Sequence, residues 1–250
     1  MAQFFWTGEP PLMRVEEYDG RADLEITPTQ LASNGLVTAA EQRRILRDWI
    51  AFLADAPLPI RRLSFFSRVP QELLDAVAGQ RQLEHLSVKW GPYSDLSALR
   101  RLTGLQSLWL QGATSVTDLA PLTSLASIDT LVVDQPFRVA DPGPIGELTT
   151  LRDLSYAAAH LGTNRVLRID SLEWVRSLRE LEILGLAGTR IPAEALATLL
   201  ELPRLVSLSI PLRRHYRATV VEYAQRSAAF AEVARKYDSS DEIRRRHGLS

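Results

Sequence analysis

The 250-residue sequence contains no cysteine. Disulfide staples, thiolate metal centres and cysteine nucleophiles are thereby excluded. An excess of charge is missing too: 29 basic side chains stand against 30 acidic ones, a formal net charge of −1. Attraction by bulk charge to nucleic acid or to an anionic membrane is not expected. Lysine is scarce, with only Lys89 and Lys236 among the 29 cations; arginine- and alanine-rich codon usage accounts for that without a functional role. No apolar run reaches 18 residues, and the opening MAQFFWTGEP has neither a basic start nor a sustained apolar stretch. The expectation is a cytoplasmic chain with no membrane contact. What the sequence has in quantity is apolar side chain, 46% of its residues, enough to bury the core of one large domain or two small ones.

Those apolar residues repeat. Segments of the form L-x-x-L-x-L begin at Ile60, Leu83, Leu105, Ile128, Leu151, Leu181 and Leu205, at spacings of 23, 22, 23, 23, 30 and 24 residues. The similarity extends past each strand. Asp95-Leu96, Leu99, Leu102, Leu105 and Leu108 recur as Asp118-Leu119, Leu122, Leu125, Ile128 and Leu131, and a third copy starts at Asp141. Each unit predicts one short strand with alternate leucines facing inward, then a return segment whose three-residue apolar spacing suits a helical or 3-10 turn. No unit can bury its leucine face alone, so the units must stack.

This pattern resembles the leucine-rich repeat superfamily, in its short internalin-like bacterial type, over roughly Ile60 to Leu212. The resemblance implies an α/β solenoid with a parallel sheet on its concave wall and a role in binding other proteins. One departure stands out. The family's asparagine after each strand is replaced by Arg68, Gly91, Ala113, Pro136, Ala159, Thr189 and Arg213. Other side chains or water must then satisfy the turn backbones, and looser turns are expected.

The flanks read as caps, giving three parts: 1–59, 60–212 and 213–250. Asp19-Gly20 is a two-residue hairpin signal, which predicts antiparallel pairing of Met13 with Ile26, Val15 with Leu24 and Glu17 with Ala22. Thr38 and Glu41 form a capping-box pattern opening a helix to about Ala54, with Ile45, Trp49, Phe52 and Leu53 on its apolar face. Helical spacing from Val220 to Tyr237 predicts a helix over 217–237. Ser239 with Glu242 then predicts a separate short turn leading through Arg244, Arg245 and Arg246 to Gly248.

Catalytic chemistry is hard to find. His85, His160, His215 and His247 fall in different units without metal-ligand spacing, no nucleophile elbow or phosphate loop occurs, and Gly143-Pro144-Ile145-Gly146 reads as a turn. Asp95, Asp118 and Asp141 fit caps on successive return segments better than a calcium column. The expectation is no enzyme and no cofactor.

What remains is surface. The residues between the strand leucines project from the concave wall and align in columns. The wall is polarised, with Arg62, Phe66, His85, Lys89, Trp109 and Gln111 toward its N-terminal half, then Asp134 and Asp153, then small neutral groups. These eight residues are the candidate partner-binding set, with Trp109 as the anchor; the alternative for Trp109 is packing beneath Phe4, Phe5 and Trp6. A second candidate is the lengthened unit, Ala157 to Asp170. It offers His160, Asn164, Arg165 and Arg168 to a partner, or else places Leu161, Val166, Leu167 and Ile169 in a longer convex-side helix. The resulting expectation is a monomeric, non-enzymatic protein-binding module, a cytosolic bacterial adaptor or scaffold. The alternatives are an immunity or antitoxin protein that occludes a toxin, and an enzyme or regulatory subunit with its site in the caps.

Overall fold

Two inward leucines per strand make each unit's extended segment adhesive on one face only, and stacking those faces builds the molecule. The computed structural model describes residues 8–55, 57–158 and 165–246. In chain order the regular elements are β1 (Asp23–Ile26), α1 (Ala39–Ala54), β2 (Arg62–Phe65), α2 (Gln71–Ala76), β3 (His85–Val88), β4 (Ser107–Leu110), β5 (Thr130–Asp134), β6 (Asp153–Ala157), β7 (Leu167–Arg168), β8 (Ile183–Gly185), β9 (Thr189–Arg190), β10 (Ser207–Ser209), α3 (Arg217–Tyr223) and α4 (Ala228–Arg246). Return segments after the third strand are 3-10 turns, among them Ser97–Arg101, Ala120–Ser124 and Gly143–Glu147.

One sheet runs β1-β2-β3-β4-β5-β6-β8-β10 with every neighbouring pair parallel. All seven predicted strands are present in sequence order. Their register sets Leu24, Leu63, Leu86, Leu108, Leu131, Leu154, Leu184 and Leu208 side by side, none more than 1% exposed. Burying each such leucine stabilises the fold by about 1.5–3 kcal/mol. Leu99, Leu122, Ile145, Val175 and Leu199 of the return segments are equally buried. The aspartates cap as expected: Asp95 Oδ1 accepts from the Ser97 N–H at 2.8 Å, Asp118 from Ala120 at 2.8 Å and Asp141 from Gly143 at 2.7 Å.

The turns lacking asparagine bond to one another. Val69 donates to the Trp90 carbonyl, Ala113 to Asp134, Gln135 to Ala157, Ala158 to Ala187 and Leu186 to Ser209, all at 2.7–3.1 Å. Backbone groups of successive units thus satisfy each other directly at these positions, while side chains serve other turns as expected: Lys89 donates to the Phe66 carbonyl, the Thr29 hydroxyl to the Arg68 carbonyl and the Thr189 hydroxyl to the Leu186 carbonyl. Close approach makes the direct backbone bonding possible: a Cβ at Gly91 would lie 1.9 Å from the Val69 carbonyl oxygen.

Three expectations are corrected. The N-terminal hairpin does not form. Val15–Glu17 is a 3-10 turn, curled by the Glu17 carboxylate accepting from the Met13 and Arg14 N–H groups at 2.8 and 3.2 Å. Asp19 closes a local turn on Arg21, and Gly20 takes the expected positive φ of 89°. The following strand, β1, pairs in parallel with β2 because Leu24 and Ile26 extend the leucine columns; Leu12 makes one parallel bridge to Ile26. The sheet therefore has an eighth strand inside the segment read as a cap. The second correction concerns the C-terminal helix. It is two helices, broken at 224–227, which lets the Tyr223 ring meet the Phe230 ring edge-on at 5.3 Å. Nor does Ser239 start a new turn; α4 continues through it, with Asp238 and Asp241 both pairing with Arg217. Third, the lengthened unit makes a strand rather than a convex-side helix over its described part. Val166 and Arg168 are exposed while Leu167 and Ile169 are buried, a period of two that suits β7 pairing in parallel with β9. Phe4, Phe5, Trp6, Ala159, His160, Leu161, Asn164, His247 and Gly248 lie outside the described residues.

The helix opened by Thr38 is present as expected, its hydroxyl accepting from the Glu41 N–H at 3.2 Å. Ile45, Trp49 and Leu53 are buried on one face.

Candidate binding surface

The strands present their alternate residues in two continuous rows on the concave wall. The first is Asp23, Arg62, His85, Ser107, Thr130, Asp153, Ile183, Ser207, and the second Glu25, Ser64, Ser87, Trp109, Val132, Ser155, Gly185, Ser209. Asp23 and Glu25 belong to this wall and were missed by the repeat count. Their signal was faint: Leu24-x-Ile26 keeps the strand's two inner positions, but Arg21 stands where the unit's first leucine would be.

The eight candidate residues are partly buried, and several are held in place. Arg62 reaches Asp23 across the first row at 3.4 Å. His85 sits beside Arg62 in register; burial, and secondarily the Arg62 charge, hold its pKa below the ordinary histidine value. The Lys89 ammonium donates to the Phe66 carbonyl at 2.8 Å, satisfying a turn carbonyl of the preceding unit. Gln111 donates to Ser87 Oγ at 2.9 Å, and Trp109 Nε1 to Ser107 Oγ at 3.1 Å. Asp134 and Asp153 stand on adjacent strands at opposite ends of the pairing, Asp134 beside Ala157 and Asp153 beside Thr130. Burial, and then the Asp134 charge, push the Tyr93 hydroxyl well above the ordinary tyrosine range. Side chains pinned in this way lose little freedom when a partner docks, which lowers the ordering cost of association.

Outside the wall, Trp90 is 47% exposed on the turn after β3, with the Arg68 guanidinium 5.8 Å from its ring centre. Arg165 of the lengthened unit lies over the Phe137 ring at 4.0 Å. Arg168 lines a cleft with Arg190 and His215 on the flank of the solenoid. Among the described residues, titration is perturbed at scattered places. The carboxylates of Asp19, Glu41 and Glu232 are lowered chiefly by hydrogen bonds from Arg21, Arg14 and Lys236, and that of Asp95 by its cap on Ser97. Among the described residues no group of three or more histidine and acidic side chains could hold a metal ion, and no helix is long and apolar enough to cross a membrane.

No protein-family model matches the chain, and no curated protein matches it. Among solved structures, an internalin (inlF) of Listeria monocytogenes aligns at 20% identity and TM-score 0.49, covering 60% of this chain and 42% of its own. An internalin C2 from the same organism aligns at 18% and 0.46, covering 64% and 63%. A leucine-rich repeat protein of Leptospira interrogans aligns at 16% and 0.43, covering 75% and 47%. This chain thus spans about half the length of those structures. The fold assignment rests on its own leucine ladder and strand registers: the chain is a leucine-rich repeat solenoid.

Proposed function

We propose that this chain is a non-enzymatic protein-interaction module, a cytosolic bacterial adaptor or scaffold, whose concave wall binds another protein around Trp109. The observation that carries the proposal is the setting of that indole. It lies at mid-wall, in register with Ser87 on one side and Val132 on the other, fixed by its bond to Ser107. A large, orientationally fixed aromatic among small neighbours is what an interface anchor requires. Arg62, Phe66, His85, Lys89 and Gln111 supply polar and aromatic contacts on one flank, and Asp134 and Asp153 supply negative charge on the other. In this reading the wall works as a rigid template and needs no cofactor, and the chain acts as a monomer with parts 1–59 and 213–250 closing its two ends.

The test is affinity capture from the native cell with tagged wild-type chain, followed by calorimetry of the captured partner against wild-type and Trp109→Ala. The substitution should weaken binding by about 2 kcal/mol or more and leave the melting temperature nearly unchanged. A sharply lower melting temperature with unchanged affinity would show that Trp109 serves packing and that the wall lacks its anchor. Capture of a toxin whose activity the chain blocks would replace the adaptor role with that of an immunity protein, on the same surface.

A further inference from the structure

In places along the solenoid, an arginine of one turn meets a carboxylate of the next. Arg61 pairs with Glu84 at 2.8 Å, and Arg176 with Glu201 at 3.0 Å. The small sheet of β7 and β9 sets two arginines side by side instead. Arg168 and Arg190 are register partners in its parallel pairing, so their side chains leave the same face of two strands about 4.8 Å apart. Both are exposed, and among the described residues neither guanidinium makes a hydrogen bond or an ion pair. Like charges facing each other across a strand pair are unfavourable, and exposed side chains meet no packing demand that would offset this.

The two arginines line a cleft together with His215, Asp170, Pro192 and Ala193. Asp170 is the one carboxylate among its lining residues. Arg168 also lines a neighbouring cleft with Asp141, Asp170 and Glu173, so carboxylates bound the cationic surface on that side. The planar, five-donor guanidinium suits a carboxylate better than any other partner on a protein surface. The apolar rim of Pro192 and Ala193 suits a chain rather than a bare ion.

We propose that the Arg168–Arg190 face is a second docking site, which takes an acidic segment of a partner protein. It lies on β7 and β9, outside the sheet that carries Trp109, and does not depend on the function assigned to the concave wall. The lengthened unit, 30 residues against 22 to 24 elsewhere, supplies β7 and with it one of the two cations.

The test uses the full chain and a fluorescein-labelled ten-residue peptide alternating glutamate and threonine, followed by fluorescence anisotropy at low ionic strength. Saturable binding is expected, weakened about tenfold by the double change Arg168→Gln and Arg190→Gln. The change of Arg100 and Arg101 to glutamine, which removes the same charge from another exposed turn, should leave affinity unchanged, and so should Trp109→Ala. Equal losses in the two double variants would reduce the effect to bulk charge and overturn the proposal. Absence of binding by wild-type chain would do the same, and so would peptide displacement by inorganic phosphate at concentrations comparable to the peptide, which would mark a small-oxyanion site. Circular dichroism of each variant separates these results from loss of fold.

Discussion

The two ends of the sheet are closed by different chemistry. At the N-terminal end the leucine column continues into β1, and α1, packed against α2 and the adjoining 3-10 turns, holds Trp49 fully buried. Trp49 Nε1 donates to the Met13 carbonyl at 2.9 Å. At the C-terminal end the repeat stops and tyrosine hydroxyls take over. The Tyr216 hydroxyl accepts from the Ile191 N–H at 2.9 Å and donates to the Ile191 carbonyl at 2.8 Å, doing for the β9 edge what a further strand would do. Tyr237 donates to the Arg213 carbonyl at 2.7 Å, and α4 packs against β10. One end is sealed by extending the core and the other by polar stitching under a helix pair. The first should be sensitive to lost volume, the second to lost hydrogen bonds.

The largest effect expected is from removing the C-terminal seal altogether. A chain lacking 213–250 leaves Leu205, Leu208 and Ile210 without cover and should aggregate or partly unfold, as read by light scattering and calorimetry. A soluble monomer with an unchanged melting temperature would show that the helix pair is an appendage and that the two ends are not equivalent in need. Next in size is Trp49→Ala, which empties a fully buried site and should cost about 3–5 kcal/mol in denaturant unfolding. Tyr216→Phe keeps the ring and removes only the stitching. It should cost about 1–3 kcal/mol, because the Ile191 N–H and carbonyl are left buried and unpaired. If the tyrosine change costs less than a few tenths, the polar account of the C-terminal end fails.

The smallest effect is expected between the ends, where both sealing devices are absent. Asp95→Ala removes one turn cap and should cost about 0.5–1 kcal/mol at neutral pH. The Ser97 hydrogen bonds hold the Asp95 pKa below the ordinary aspartate value. Its stabilisation is therefore complete above that ordinary value and disappears as pH falls through the depressed one, so wild-type and variant should converge in acid. A cost that persists in acid would mean that the side chain acts by something other than its charge.

How far these features could be read from the sequence depended on whether their partners were local. Each inner strand announced itself, because an apolar-x-apolar pair recurring at intervals of 22 to 24 residues, once at 30, has one stacking solution. The Asp95, Asp118 and Asp141 caps were legible for the same reason, acting two residues away. The hairpin expectation failed because Asp19-Gly20 does make a turn, but the strand after it had a better partner in β2, whose leucine column it extends. The break at 224–227 carries no glycine or proline, and nothing local marks it. Trp109 could be placed on the wall from the repeat alone. The pairing of Arg168 with Arg190 could not, since it joins two segments 22 residues apart that lie outside the leucine pattern.

The spacing of the strands also bears on how quickly the molecule forms. Sheets of eight strands ordinarily assemble slowly because their pairings close long loops. Here most strand partners are 22 to 24 residues apart, with 30 between β6 and β8 and 39 between β1 and β2. Against a length of 250 residues that is a relative contact order of roughly 0.1, the range of helical bundles. Closure entropy grows only with the logarithm of loop length, so no step in building this sheet is much costlier than another. A nucleus of any two adjacent units can therefore grow in both directions.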